Sequence, residues 1–122
     1  MTLSRLILET GMGTDLYGEN YTKAACRAVE DAIHHSSLIL FRSLNLKSEL
    51  MIVKVTIGID KPKLVDLELV KNKLPHGKVT VIAVKGGLNI KDRDQATVTV
   101  IATAAVEAFV EIQQQKLRVR QT

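Results

Sequence analysis

Residues 50–59 read Leu-Met-Ile-Val-Lys-Val-Thr-Ile-Gly-Ile, the most regular stretch of the sequence. In an extended chain, successive side chains point to opposite faces. One face would therefore carry Met51, Val53, Val55, Ile57 and Ile59, and the other Ile52, Lys54, Thr56 and Gly58. A period of two with one strongly apolar face predicts a β-strand that packs on a core.

Toward the amino terminus, residues 3–9 form a short apolar run that ends at Thr10-Gly11. This run predicts an earlier, mostly buried strand. Between the two strands the apolar residues recur at intervals of three and four, which predicts a helix from about Tyr21 to His35. Its buried face is made of Ala24, Ala25, Ala28, Val29, Ala32 and Ile33. Asn20 is the expected N-cap, with Glu19 beside the positive end of the helix dipole.

Toward the carboxyl terminus, residues 64–73 predict a short helix that starts after Pro62. Residues 79–84 and 95–103 predict a third and a fourth strand, joined by a polar loop at residues 89–94. Beyond Thr103 two alternatives remain, a helix or a strand that bends and continues, and the persistent period of two favours the strand. Residues 36–49 follow no clean period and are interpreted as an irregular segment that packs on the rest.

This order predicts an α+β fold, with a mixed four-stranded sheet and two helices on one face, as one domain over residues 1–122. The helix-facing side is expected to carry Leu6, Leu8, Val53, Val55, Ile57, Val98 and Val100, and the opposite side Ile7, Ile52, Thr56, Thr97, Thr99 and Ile101. The second side is too apolar to face water alone. We therefore expect a homo-oligomer that buries this face or residues 38–46, unless the tail of the chain folds back over the sheet.

Composition narrows the function classes. The 122 residues are 46% hydrophobic, with a net charge of +4, which favours anionic ligands only in a general way. One cysteine excludes an internal disulfide, and the start Met-Thr-Leu-Ser-Arg lacks the layout of a signal peptide, so the expected compartment is the cytoplasm. Apolar runs are too short for a membrane span. Without tryptophan and with few other aromatic residues, nucleic-acid binding is not favoured.

The strongest candidate for a site is the run Gly-Met-Gly-Thr-Asp-Leu-Tyr-Gly at residues 11–18, which precedes the predicted first helix. A glycine-rich turn before a helix leaves backbone amides free for an anion, so a phosphate or carboxylate ligand is expected. The predicted ligand-binding residues are Gly11, Gly13, Asp15, Tyr17, Gly18, Glu19 and Lys23. Asp15 and Glu19 would repel that ligand unless Lys23, Arg27 or a cation compensates.

A structural alternative is that these glycines adopt positive φ in a tight connection while Asp15 accepts hydrogen bonds from turn amides. No catalytic residue, metal site or cofactor is assigned, and enzymatic activity stays open. Cys26 is interpreted as a small buried apolar residue, and His34 and His35 as favourable charges at a helix end. His76 is expected on the surface. Gly86-Gly87 either completes a pocket beside the first glycine run or only forms a hairpin or bulge.

Three segments together are similar to the carboxy-terminal domain of the tubulin/FtsZ superfamily. They are Gly18-Glu19-Asn20 leading into the alanine-rich helix, residues 51–60 (Met-Ile-Val-Lys-Val-Thr-Ile-Gly-Ile-Asp), and residues 95–103 (Gln-Ala-Thr-Val-Thr-Val-Ile-Ala-Thr). The resemblance covers about residues 3–103. It implies a chorismate-mutase-like α+β fold, a class that often assembles into trimers or larger rings. It implies no GTPase activity, because the nucleotide-binding domain of that superfamily is absent here.

The chain also resembles, over nearly its whole length, a small family of conserved hypothetical proteins of unknown function with the motif Gly-x-Gly-x-Asp-x-His-Gly. Gly11, Gly13, Asp15 and Gly18 match the motif, and residues 102–107 are similar as well. Tyr17 stands where the motif has histidine. An Asp-x-His pair at a strand end can bind a divalent metal, as in cyclodiphosphate synthases of isoprenoid biosynthesis, and Tyr17 removes the nitrogen ligand.

Two function classes follow from these observations. In the first, an oligomeric protein binds a small anionic metabolite at residues 11–18, with its transformation left open. In the second, the chain is a non-catalytic assembly or interaction module that uses the tubulin-like topology to join subunits, with the basic residues 116–120 contacting an acidic surface.

Overall fold

The computed structural model describes residues 3–34, 51–74, 77–94 and 96–111. The elements in these ranges are, in chain order, β1 (Leu3–Asp15), α1 (Tyr21–His34), β2 (Met51–Ile59), α2 (Leu67–Lys71), β3 (Lys78–Lys85), β4 (Leu88–Lys91) and β5 (Val98–Glu111). A single turn of 3₁₀ helix at Pro62–Leu64 precedes α2. The α+β class with a mixed sheet is confirmed. Residues 36–49, His35, His76 and the basic tail at 116–120 lie outside the described ranges.

The sheet is built around β5, which pairs on both of its edges. Its neighbour on one edge is β1, antiparallel along almost the whole length of both strands. On the other edge it pairs with β2 between Thr103 and Val110, and β4 takes over between Val98 and Ile101. The fourth member across the sheet is β3, parallel to β2. The order is therefore β1-β5-β2-β3, with β4 added beside β5 beyond the end of β2.

Three predicted boundaries need correction. β1 continues to Asp15, whereas the sequence reading ended the first strand at Glu9. The polar loop expected at residues 89–94 is wrong for its first part, because residues 88–91 pair with β5 as an additional strand. The predicted helix at residues 64–73 is reduced to the short helix α2, whose N-cap Asp66 accepts from the backbone N–H groups of Glu68 and Leu69. Of the two alternatives beyond Thr103, helix or continued strand, the continued strand is confirmed, because β5 extends from Val98 to Glu111.

The core lies between the sheet and α1. The alanine stripe on α1 is completely buried, as predicted from its spacing. It packs on the face of the sheet that carries Val53, Val55 and Ile57 from β2 and Val100 from β5, all of them buried. The small alanine side chains of α1 let the helix approach the sheet closely, and the approach is closest over Gly11 and Gly13 of β1.

The side-chain assignment predicted for β1 is reversed. Ile7, expected on the far face, is 6% exposed and belongs to the core, whereas Leu8, expected in the core, is 48% exposed. The pairing of β1 with β5 shifts register between Arg5 and Ile7. From Ile7 onward the odd-numbered residues face α1, which places Gly11 and Gly13 under the helix.

The opposite side of the sheet, called the open face here, is covered by neither α1 nor α2. It carries large apolar side chains from the three strands β1, β3 and β4, the most exposed being Leu88 at 61% and Met12 at 58%. The others are Leu8, Ile82, Val84 and Ile90. Within the described ranges, the apolar character expected for this face is present, although Leu8 replaces Ile7 on it.

Candidate functional site

Gly11 and Gly13 lie within β1 and not in a turn. The glycines with positive φ in the described ranges are Gly77 and Gly87, so the expectation of positive φ at residues 11 and 13 is wrong. A Cβ atom on Gly13 would overlap the backbone of Ala28 and lie 2.7 Å from the carbonyl carbon of Arg27. These two glycines are needed because a helix backbone passes directly over them.

Asp15 ends β1 and is 6% exposed, the one buried charged side chain among the described residues. Its Oδ2 accepts a hydrogen bond of 2.9 Å from the backbone N–H of Asn20. Arg27 Nη1 lies 3.7 Å from Asp15 Oδ1 and donates to the carbonyl oxygen of Thr14 at 2.6 Å. Asp15 therefore has the geometry of the structural alternative, in which the carboxylate holds the connection to α1.

The true turn is confined to residues 16–20. Asn20 is the N-cap of α1, since its Oδ1 accepts from the backbone N–H of Lys23 at 3.0 Å. Tyr17, Gly18 and Lys23 are exposed, and Glu19 lies 4.0 Å from Lys61 in an ion pair. Of the predicted ligand-binding residues, the structure brings together Asp15, Gly18 and Glu19 near the start of α1, and leaves Gly11 and Gly13 further along β1 beneath the helix.

A second group of polar side chains, which the sequence reading missed, meets beside the start of α1. We call Tyr21, Asp60, Lys85 and Asn89 the strand-end cluster. Asn89 Nδ2 donates to the Tyr21 hydroxyl at 2.8 Å and to Asp60 Oδ2 at 3.2 Å. Lys85 Nζ donates to both the Oδ1 and the carbonyl oxygen of Asp60, each at 2.9 Å.

One sequence signal pointed to part of this cluster. Asp60 directly follows β2, and Lys85 is the last residue of β3. Because these strands are parallel, their carboxyl ends meet at the same edge of the sheet, and such edges are common ligand sites in open sheets with parallel strands. The pairing was not deducible from the predicted order of strands, so the convergence was missed.

The remaining candidate residues have structural roles. Cys26 is partly buried and packs against the core, and this burial raises the pKa of its thiol, an effect opposed by nearby Lys73. Its interpretation as an apolar packing residue agrees with that environment. Gly87 has φ of +63°, and the N–H of Gly86 donates to the Ile59 carbonyl at 3.0 Å, so this pair forms a tight connection from β3 to β4.

A groove with a volume of about 670 Å³ crosses the open face. Small residues of β2 and β5 form its floor, and the taller side chains of Met12 and Val84 stand on its two sides. The floor consists of Thr56, Gly58, Thr103 and Ala105. A Cβ on Gly58 would lie 2.7 Å from Thr103 Oγ1, so a larger residue there would require the Thr103 side chain to shift.

Two kinds of site are absent from the part of the chain that the structure describes. No three His, Cys, Asp or Glu side chains are grouped closely enough to hold a metal ion there. None of the helices in the same ranges combines the length and the apolar character that crossing a membrane requires.

Residues 5–108 match the model of a family described as conserved hypothetical protein (Lin0512_fam). The chain belongs to this family. A crystal structure described as an FtsZ-like protein of unknown function, from Nostoc punctiforme, is 35% identical in sequence and superposes with a TM-score of 0.81. The match covers 92% of this chain and 99% of the other. No curated protein matches the sequence.

Membership of the Lin0512 family and the FtsZ-like fold confirm both resemblances found in the sequence. The family description names no activity, and the neighbour is likewise of unknown function. The function of this Lin0512-family chain therefore has to be argued from its own surface and side chains.

Proposed function

We propose that this chain is a self-association module of the cytoplasm, which buries the open face of its sheet against a second copy. The observation that supports the proposal is the exposure of large apolar side chains on that face, led by Leu88 and Met12. Monomeric proteins seldom leave contiguous apolar patches larger than a few hundred Å² in water. The FtsZ-like fold supplies the framework, and the neighbour that shares it is of unknown function.

The edge of β1 is less suited to association than the open face. Asp31 Oδ2 accepts from the backbone N–H of Met12 at 2.9 Å, and Arg27 donates to the carbonyl of Thr14. Polar side chains of α1 thus satisfy backbone groups that a neighbouring strand would need, a common protection of edge strands. Over these residues of β1, strand addition is hindered, which favours the open face as the surface for a partner.

A second copy fits this face because the face carries both a depression and a ridge. The depression is the groove floored by small residues, and the ridge consists of Leu88 and Ile90 on β4. In a two-fold interface the same patch is used by both subunits, so the ridge of each copy can enter the groove of the other. At the other end of the face, Arg5 Nη1 lies 3.4 Å from Glu107 Oε2. The positive and the negative charge of this ion pair balance each other, so this end of the face carries no net charge from the pair.

Introducing a charge on the ridge tests the proposal. The wild-type chain should elute in light-scattering chromatography at a multiple of its 13.5 kDa mass, and Leu88→Lys should shift it to the monomer. The control is Leu69→Lys, which charges a comparably exposed leucine on α2 and should leave the oligomer intact. A wild-type monomer at micromolar concentration, or equal effects of both variants, would contradict the proposal.

The second candidate is a small anionic ligand at the start of α1, bound by Tyr17, Gly18, Glu19 and Lys23 beside Asp15. One observation favours it: Arg27 lies against Asp15 and Lys61 against Glu19, so the negative charge that would repel an anion is offset. Gly11 and Gly13 lie further along β1, with the backbone of α1 directly over them. This candidate does not depend on self-association.

Thermal-shift measurements with phosphate and citrate test the second candidate. An anion at about 100 times its dissociation constant should stabilise the fold by about 2.7 kcal/mol. Lys23→Ala should abolish that gain, while Lys71→Ala, which removes an exposed lysine from α2, should preserve it. An unchanged melting temperature with both anions, or an equal loss in both variants, would argue against a site here.

A further inference from the structure

The strand-end cluster joins three elements through one amide side chain. Tyr21 is the first residue of α1 and is 3% exposed, so its ring is fixed in the core while its hydroxyl points at β4. Asn89 faces that hydroxyl from β4, on the side of the strand opposite to Leu88 and Ile90. Asp60 and Lys85 lie at the more exposed rim, where their ion pair measures 2.9 Å.

The hydrogen-bonding capacity of the cluster is only partly used. Both N–H bonds of the Asn89 amide are taken, by Tyr21 and Asp60. The Oδ1 of Asn89 is buried and receives no hydrogen bond from any residue in the described ranges. A buried acceptor without a donor costs about 1–3 kcal/mol, so an acceptor in this position calls for an explanation.

The Tyr21 hydroxyl has the complementary free capacity. A phenol both donates and accepts, and the amide of Asn89 already uses its oxygen as an acceptor. Its hydrogen meets no acceptor among the described residues. The free donor is the Tyr21 hydroxyl, and the free acceptor is Asn89 Oδ1. The two side chains are already joined by the 2.8 Å hydrogen bond from Asn89 Nδ2 to the Tyr21 oxygen.

We propose that the strand-end cluster binds the vicinal diol of a sugar. A hydroxyl group donates one hydrogen bond and accepts another, so a single sugar hydroxyl can donate to Asn89 Oδ1 and accept from the Tyr21 hydroxyl. The adjacent hydroxyl then donates to the Asp60 carboxylate, which has lone pairs beyond those facing Asn89 and Lys85. A carboxylate, which offers acceptors only, would leave Asn89 Oδ1 without a donor.

The position of the cluster suits a ligand. It lies outside the carboxyl ends of the parallel strands β2 and β3, the edge at which open sheets of this kind bind ligands. Because Asn89 Oδ1 is itself buried, the sugar has to enter from the side of Asp60 and Lys85, which requires the exposed side chain of Lys85 to leave its two hydrogen bonds with Asp60. Lys61 Nζ lies 5.9 Å from the centre of the Tyr21 ring and helps to hold that ring in place.

Titration with methyl β-ribofuranoside, followed by nuclear magnetic resonance, tests the inference on the intact chain. The expected result is a saturable change in the side-chain amide signals of Asn89, with binding about tenfold weaker for the 2-deoxy analogue, which lacks one hydroxyl of the diol. Acetate, which is ionised at neutral pH and has no donor, should leave those signals in place. A linear, unsaturable response to the riboside, or equal binding of the two ribosides, would overturn the proposal.

Tyr21→Phe supplies the matched variant, because it keeps the buried ring and removes only the hydroxyl. Binding of the riboside should weaken about tenfold, and a dispersed spectrum shows that the variant is folded. Tyr17→Phe removes the same group from an exposed tyrosine outside the cluster and should bind as the wild type does. Wild-type affinity in Tyr21→Phe would mean that the cluster only ties β4 to α1.

Discussion

Gly13→Ala is expected to destabilise the fold by about 2–4 kcal/mol, because a methyl group at this position overlaps the helix backbone above it. The overlapping atoms belong to the backbone of Ala24 and Ala28 and cannot turn away as a side chain could. Relief requires that α1 move away from the sheet, which opens contacts along the whole alanine stripe. Urea denaturation followed by circular dichroism measures the loss of unfolding free energy.

Two further variants separate this cause from a general cost of replacing glycine. In Gly18→Ala the new Cβ meets a side-chain atom, Asp15 Oδ2, at 3.1 Å, so a smaller loss is expected. Ala28→Gly should not rescue Gly13→Ala, since removing the methyl of Ala28 leaves its backbone nitrogen in place. If Gly13→Ala unfolds at the same urea concentration as the wild type, the close contact of β1 with α1 is wrong.

Asp15→Ala is expected to lower the free energy of unfolding by about 2–3 kcal/mol. The substitution removes the acceptor for the Asn20 N–H and leaves Arg27 without its nearest carboxylate. Both losses occur where the chain leaves β1 and enters α1. Thermal and urea denaturation in the absence of any ligand should detect the change, which distinguishes a structural role of Asp15 from a role in binding.

The matched control is Asp92→Ala, which removes an exposed aspartate whose Oδ1 accepts from the backbone N–H of Asp94 at 2.9 Å. Because water replaces that bond readily, a loss below about 1 kcal/mol is expected. Arg27→Ala removes the same ion pair as Asp15→Ala. The double variant should therefore lose less unfolding free energy than the sum of the losses in the two single variants. Strict additivity would show that the pair does not interact.

The periodic elements of this fold were predictable, and the reason is the strength of their patterns. β2 alternates without interruption and α1 repeats alanine at helical spacing, so each buried face could be read from local sequence. β1 was misjudged because glycine within a strand has the same signature as glycine in a turn. The information that settles the matter is the alanine stripe of α1, which requires small partners on the sheet beneath it.

The candidate sites were less predictable because their residues are distant in the sequence. Asp15 and Gly18, which lie next to the start of α1, could be found from the run at residues 11–18. The strand-end cluster combines residues 21, 60, 85 and 89, which no local spacing relates. Only the parallel pairing of β2 with β3 and the extra strand β4 bring these side chains together, and both depend on tertiary contacts.

The position of β5 in the sheet also governs how the protein is made. Every other strand except β3 pairs directly with β5, and residue 3 lies opposite residue 111. A ribosome adds about 5–20 residues per second, so β1 waits roughly 5–20 s for β5, its one strand partner among the described residues. During that interval the apolar side chains of β1 and β2 are available to chaperones and to other nascent chains, and the sheet can form only after β5 has been made.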